Sequence, residues 1–99
     1  MSAVYWSHKA RVRLREIHAY IAKDSPLRAT QMVDRLTRRG EQLASEPRAE
    51  RRVPEYPEDE LHEVLERPYR LIFQVSLGRI DILTVKHYRQ RLPDRVTEL

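Results

Sequence analysis

Four residue positions in this chain could between them carry out acid–base chemistry on a phosphate: Glu55, Arg70, His87 and Tyr88. A carboxylate can take a proton, an imidazole can return one, and a guanidinium can stabilise charge developing on phosphorus. A phenol ring can stack on a base. Cleavage of RNA through its 2′-hydroxyl would need that set, with Glu55 as base, Arg70 as stabiliser, His87 as acid and Tyr88 as platform. Each residue also has a plainer role open to it. Arg70 can pair with Glu63 across neighbouring strands. Glu55 lies in a stretch with Glu58, Asp59 and Glu60, where a solvated charge is expected. His87 closes a strand as a polar boundary, and Tyr88 with Arg89 can cover a sheet edge. His8, His18 and His62 form no ligand spacing and there is no cysteine, so no metal, cofactor or disulfide is expected.

The elements that must position these residues are concentrated between Leu61 and Arg89. Tyr69, Leu71, Phe73 and Val75 alternate with Arg70, Gln74 and Ser76, the period of a half-buried strand, and only Ile72 interrupts the polar set. Ile80 to Val85 is a second β-branched run and Leu61 to Leu65 a shorter third. Pro68 and Gly78 fall between the runs, where turns need a fixed or a positive φ. Three antiparallel strands joined by two tight hairpins are predicted. Arg70 then lies on the face opposite Leu71 and Phe73. In the last strand Ile80 and Ile82 follow one alternation while Leu83 and Val85 follow the other, so the face of His87 stays open.

Ahead of the sheet, Ala3 to Trp6 is a short β-prone run suited to a sheet edge. Ser7 is a credible N-cap, and Ala10, Leu14, Ile17 and Ile21 give one apolar face to a helix near 7–23. Ser25-Pro26 reads as N-cap and first helical residue of a second helix near 26–45. Its apolar face carries Ala29, Val33, Leu36, Gly40 and Leu43, with Met32 beside them. A glycine on that face costs about 1 kcal/mol against alanine, which predicts close packing against the first helix. Arg35, Arg38 and Arg39 read as its solvated face, with an acidic protein partner as the alternative. Pro47 stops this helix. Glu46 to Glu60 is proline-rich, basic at Arg48, Arg51 and Arg52, then acidic, and is expected as a surface loop with a short extended piece at Val53. Residues 89–99 read as a polar tail.

The fold class is therefore α+β in the order β-α-α-β-β-β, an antiparallel sheet with a helical hairpin packed on one face. With 99 residues, 1–99 reads as one domain. The formal charge of +4 and a pI of about 9.8 favour an acidic partner, a nucleic acid or an acidic protein segment. No run is apolar enough to span a membrane or serve as a leader, and the cytoplasm is the expected compartment.

WSHKARVRLREIHAYIAKDSPLRA, LASEP with RRVPE, LHEVLERPYRLIFQV and IDILTVKH, in that order, resemble the RelE/ParE superfamily of bacterial type II toxins. The resemblance covers Trp6 to about Arg89 and rests on the spacing of Ser25-Pro26, Pro54-Glu55, Glu63-Val64, Tyr69-Arg70 and Val85-x-His87. It implies a growth-inhibiting toxin held by a cognate antitoxin in a hetero-oligomer. RelE-like members cut mRNA on the ribosome, near whose active positions Glu55, Arg70 and His87 stand; ParE-like members poison DNA gyrase and need no catalytic set. Arg51, Arg52, Tyr88 and Arg89 are the expected target-binding residues. The chain departs from the superfamily in having Glu50-Arg51 where glycine-arginine is common, and His62 where arginine is common. The ParE-like reading is preferred. A basic RNA- or protein-binding module is a third reading, opposed by the lack of an aromatic among Arg70, Ile72, Gln74 and Ser76.

Overall fold

The computed structural model describes residues 2–45 and 51–99; Pro47, Arg48 and Glu50, singled out above, lie outside the described residues. The chain runs β1 (Ala3–Trp6), α1 (His8–Ala22), α2 (Pro26–Glu41), β2 (Arg51–Arg52), β3 (Leu61–Glu66), β4 (Tyr69–Ser76) and β5 (Arg79–His87). Single 3-10 turns follow α2 at Gln42–Ala44 and close the chain at Val96–Glu98. The predicted α+β class holds, with the two helices in sequence order before the main strands.

Both helices begin where a side chain can satisfy their free amides. The Ser7 hydroxyl accepts from the Ala10 amide at 2.9 Å and donates to the Leu83 carbonyl at 2.7 Å, so it caps α1 and ties it to β5. Ser25 caps α2 by accepting from the Arg28 amide, and Pro26 opens the first turn. The hairpins fall where expected, with Arg67-Pro68 joining β3 to β4 and Leu77-Gly78 joining β4 to β5. Gly78 has φ +69°, which its lack of a Cβ allows.

The sheet order is β1-β5-β4-β3-β2. All pairs are antiparallel except β1 with β5, which run parallel. The expected extended piece near Val53 is β2, a two-residue edge strand on β3. Between β4 and β5 the register slips: Ile72 faces Thr84 but Phe73 faces Ile82, leaving Leu83 as the extra residue of a bulge. This resolves the mixed alternation of the last strand. Ile80 and Ile82 before the bulge and Val85 after it all reach the helix-covered core, together with Tyr69, Leu71 and Phe73.

Two expectations change. Gly40 packs not against α1 but against the sheet: a Cβ there would collide with the Trp6 ring and lie 2.9 Å from Ile82 Cδ1. The close approach is between α2 and the β1–β5 pair, and Trp6 is held by donating its indole N–H to Glu41. Second, neither the loop after β2 nor the tail is merely surface. Val53 and Tyr56 from the loop, and Leu92 and Leu99 from the tail, are buried with Leu61 and Ile72 in a second apolar cluster on the other side of the sheet. Ile72, which broke the polar alternation of its strand, is the residue they cover. The Tyr56 hydroxyl donates to the Pro93 carbonyl at 2.5 Å and joins loop to tail.

Candidate functional site

On the sheet face covered by loop and tail lies a chain of alternating charges. Arg70 on β4 is 4% exposed and Glu63 on β3 wholly buried. One guanidinium nitrogen of Arg70 donates to Glu63 at 2.9 Å and to Glu55 at 3.1 Å, and the other donates to Glu55 at 2.5 Å. Arg51 completes the row by donating to the second Glu63 oxygen at 2.5 Å. The β-sheet explains the meeting. Ile72 pairs with Glu63 and Leu65 with Arg70, so Arg70 and Glu63 are diagonal neighbours on one face.

The electrostatics follow from burial and contact. Burial opposes the charge of Arg70, but its hydrogen bonds to Glu55 and Glu63 outweigh it and raise its pKa above the ordinary value. Glu55 is shifted the other way. The Arg70 hydrogen bond lowers its pKa, against partial desolvation, and the Arg51 charge adds to the effect. Arg70 is thus clamped by two carboxylates, and its Nε is left buried without a partner. Arg52 points elsewhere, donating to the Asp59 and Pro57 carbonyls and bracing the acidic loop.

His87 stands on the opposite face. It pairs across the strands with Tyr69, not with Arg70, and meets the Tyr69 ring edge-on at 5.6 Å. Tyr88 stacks on the imidazole at 5.2 Å, and the Arg89 amide donates to Nδ1 at 3.1 Å. That bond makes Nδ1 an acceptor and leaves the neutral ring's proton on Nε2. The imidazole opens on a cleft of about 250 Å³ between α1 and the end of β5, lined also by Arg13, Glu16, Tyr20 and Gln90. Tyr88 and Arg89 are exposed, with the Arg89 guanidinium donating to the Tyr88 hydroxyl at 2.9 Å.

The structure therefore brings Glu55 and Arg70 together and keeps His87 apart from both. Arg51 joins the first group; Tyr88 and Arg89 stand with the second. His62 stacks on Phe73 on the helix-covered face, and its Nδ1 is buried without a partner. Sequence reasoning missed the lining of the His87 cleft, because Arg13, Glu16 and Tyr20 lie on α1, far away in the chain. It also missed Lys86, which is buried on the Arg70 face. The available signal was a lysine set inside an apolar strand beside a histidine. Among the described residues no group of histidine and carboxylate side chains could hold a metal ion, and no helix is long and apolar enough to cross a membrane.

A capped helical hairpin on a five-stranded sheet, with a clamped arginine on the reverse face, defines a small basic α+β domain. Residues 4–92 match the family described as "ParE toxin of type II toxin-antitoxin system, parDE". The chain is 35% identical over 92 residues to "Putative toxin Y4kP" of Sinorhizobium fredii (strain NBRC 101917 / NGR234), covering 91% of this chain and 92% of that one. Its fold is similar to a chain of a solved structure titled "Chromosomal ParDE TA system from P. aeruginosa", with a TM-score of 0.71, 23% identity, and coverage of 88% of this chain and 96% of that chain. The chain belongs to the ParE toxin family of type II toxin–antitoxin systems, within the RelE/ParE superfamily.

Proposed function

We propose that this chain arrests growth by binding DNA gyrase in the cytoplasm and is neutralised by a cognate antitoxin, rather than by cutting mRNA on the ribosome. The observation that carries this reading is the separation of the would-be catalytic set. Acid and base must reach one scissile phosphate within hydrogen-bond distance. Here Glu55 and Arg70 share one sheet face and His87 opens on the other. Arg70 is also already neutralised by two carboxylates, so its charge is directed inward. A binding mechanism asks only for exposed anchors, which Tyr88 and Arg89 on one side and Arg51 and Arg52 on the other supply.

Supercoiling by purified gyrase and mRNA cleavage on translating ribosomes, assayed side by side with the purified chain, test the proposal. Inhibited supercoiling with intact mRNA is the expected result. In growth assays His87→Ala should retain toxicity, whereas Tyr88→Ala combined with Arg89→Ala should weaken it. Cleaved mRNA, abolished by His87→Ala in a folded chain, would overturn the gyrase reading in favour of the nuclease. Arg70→Ala is unsuited to this test, because it strands the buried Glu63 carboxylate with Arg51 alone.

A further inference from the structure

Lys86 is the cross-strand neighbour of Arg70 and lies on the same sheet face, 7% exposed. Arg70 has two carboxylates. Among the described residues Lys86 has none within ion-pair distance and no hydrogen-bond acceptor. Two residues earlier on that face, Thr84 is fully buried with its hydroxyl unpartnered. Burial itself, then the cations Arg13 and Lys9 of α1, hold the Lys86 pKa below the ordinary lysine value. Glu16 offsets this in part but is bound to Arg13 at 2.6 Å. The stem of Lys86 is what is buried, while its unpartnered ammonium keeps some contact with solvent. A partly desolvated charge without a counter-ion still costs more than a neutral side chain of the same shape.

Lys86 nevertheless does not sit in a sealed core. It lines a cleft of about 450 Å³ with Arg91, Leu92, Pro93, Asp94 and Glu98 of the tail. Past Ile82, no strand among the described residues pairs with β5 on the β1 side. The cleft lies between the end of β5 and the tail, and its floor is a cation lacking its anion. The rim decides what kind of anion fits. Asp94 and Glu98 repel a polyanion such as nucleic acid, while one partly desolvated ammonium balances one negative charge.

We infer that the Lys86 cleft receives a single carboxylate side chain of the antitoxin, which pairs with the Lys86 ammonium beneath Arg91 and supplies the counter-ion the isolated chain lacks. This rests on the antitoxin reading above. Basic residues flanking the partner's carboxylate meet Asp94 and Glu98 at the rim.

Lys86→Met tests this, because it keeps the length of the stem and removes the charge. The isolated variant should resist urea better than the natural chain, since an uncompensated charge is gone. Its affinity for the protein that neutralises the natural chain, measured by calorimetry on both full chains, should fall at least about 30-fold, and Lys86→Arg should restore most of it. In the natural chain, the Lys86 side-chain NMR signal should titrate at higher pH in the complex than alone. Equal affinity of Lys86→Met and the natural chain, or an unchanged Lys86 titration on binding, would overturn the inference and leave the antitoxin reading intact. A Lys86 signal that responds to inorganic phosphate but not to the neutralising protein would overturn it too. Absence of any neutralising partner would overturn both readings.

Discussion

The two faces of this sheet are built by different means. One is covered by α1 and α2, whose apolar stripes meet Leu71, Phe73, Ile80, Ile82 and Val85 in a continuous hydrophobic cluster. The other is covered by an irregular loop and a short tail, held by a few apolar anchors such as Val53, Tyr56, Leu92 and Leu99. The buried polar and charged residues Glu63, Arg70, Thr84 and Lys86 all belong to the second face. A helix pair can present a wide apolar stripe and needs no help from charge. Short polar segments cannot, and here an ion-pair row fastens them: Arg70 holds Glu55, and with it the loop, to the strands. The lesson is that the second face trades hydrophobic area for pairing, and so stakes its stability on each partner being present.

Removing one partner should break that face most. Arg70→Ala leaves Glu63 buried and without its buried counter-ion, and should cost about 3–5 kcal/mol in urea unfolding. Arg70→Met together with Glu63→Leu and Glu55→Gln should recover most of the loss, as replacing a whole buried ion row by apolar groups is often close to neutral. Phe73→Ala on the helix-covered face should cost a similar amount, about 3–5 kcal/mol, but no second charge change should rescue it. Rescue of one loss and not the other is the sharpest form of the comparison.

Gly40→Ala probes the helix-covered face more gently. The new methyl group would press on the Trp6 ring and Ile82, so a loss of about 1–3 kcal/mol is expected, partly restored by Trp6→Leu. Under the earlier expectation of a helix–helix contact, Trp6→Leu would restore nothing.

The smallest effect is the pH dependence of the charged face. Glu55 has a folded pKa below its ordinary value of 4.5, chiefly through Arg70. Its contribution to stability is therefore full above that ordinary value and is lost as pH falls through the lowered folded one. Because its carboxylate is 40% exposed, solvent weakens the effect. The urea midpoint of the natural chain should fall more steeply with acid below about pH 4.5 than that of Glu55→Gln.

Local periodicity made much of this molecule legible in advance. Ser7 and Ser25-Pro26 marked both helix starts, Pro68 and Gly78 marked both hairpins, and the alternation around Leu71 and Phe73 assigned the helix-covered face. These are properties of neighbouring residues, fixed by caps, turn dihedrals and the periods of helix and strand. The resemblance to a toxin superfamily was legible for the same reason, since it rests on the order of those short pieces. Arg70's pairing with Glu63 could be foreseen because one hairpin sets it.

What stayed hidden depends on residues distant in the chain. The bulge at Leu83 shifts the phase of β5 by one residue, and that shift alone puts His87 on the face away from Arg70. The mixed alternation of β5 is compatible with a slip but does not place one against β4. Glu55 reaches Arg70 only because its loop folds back over Ile72, and Leu92 and Leu99, diluted among polar residues, give no local sign that they close the same cluster. Gly40's neighbour Trp6 and the unpaired ammonium of Lys86 are likewise set by how separate segments meet. Sequence determined the elements and their buried stripes, because each is decided within a few turns or residues. Tertiary structure decided which charges share a face, because register and loop closure are settled only when the whole sheet is assembled.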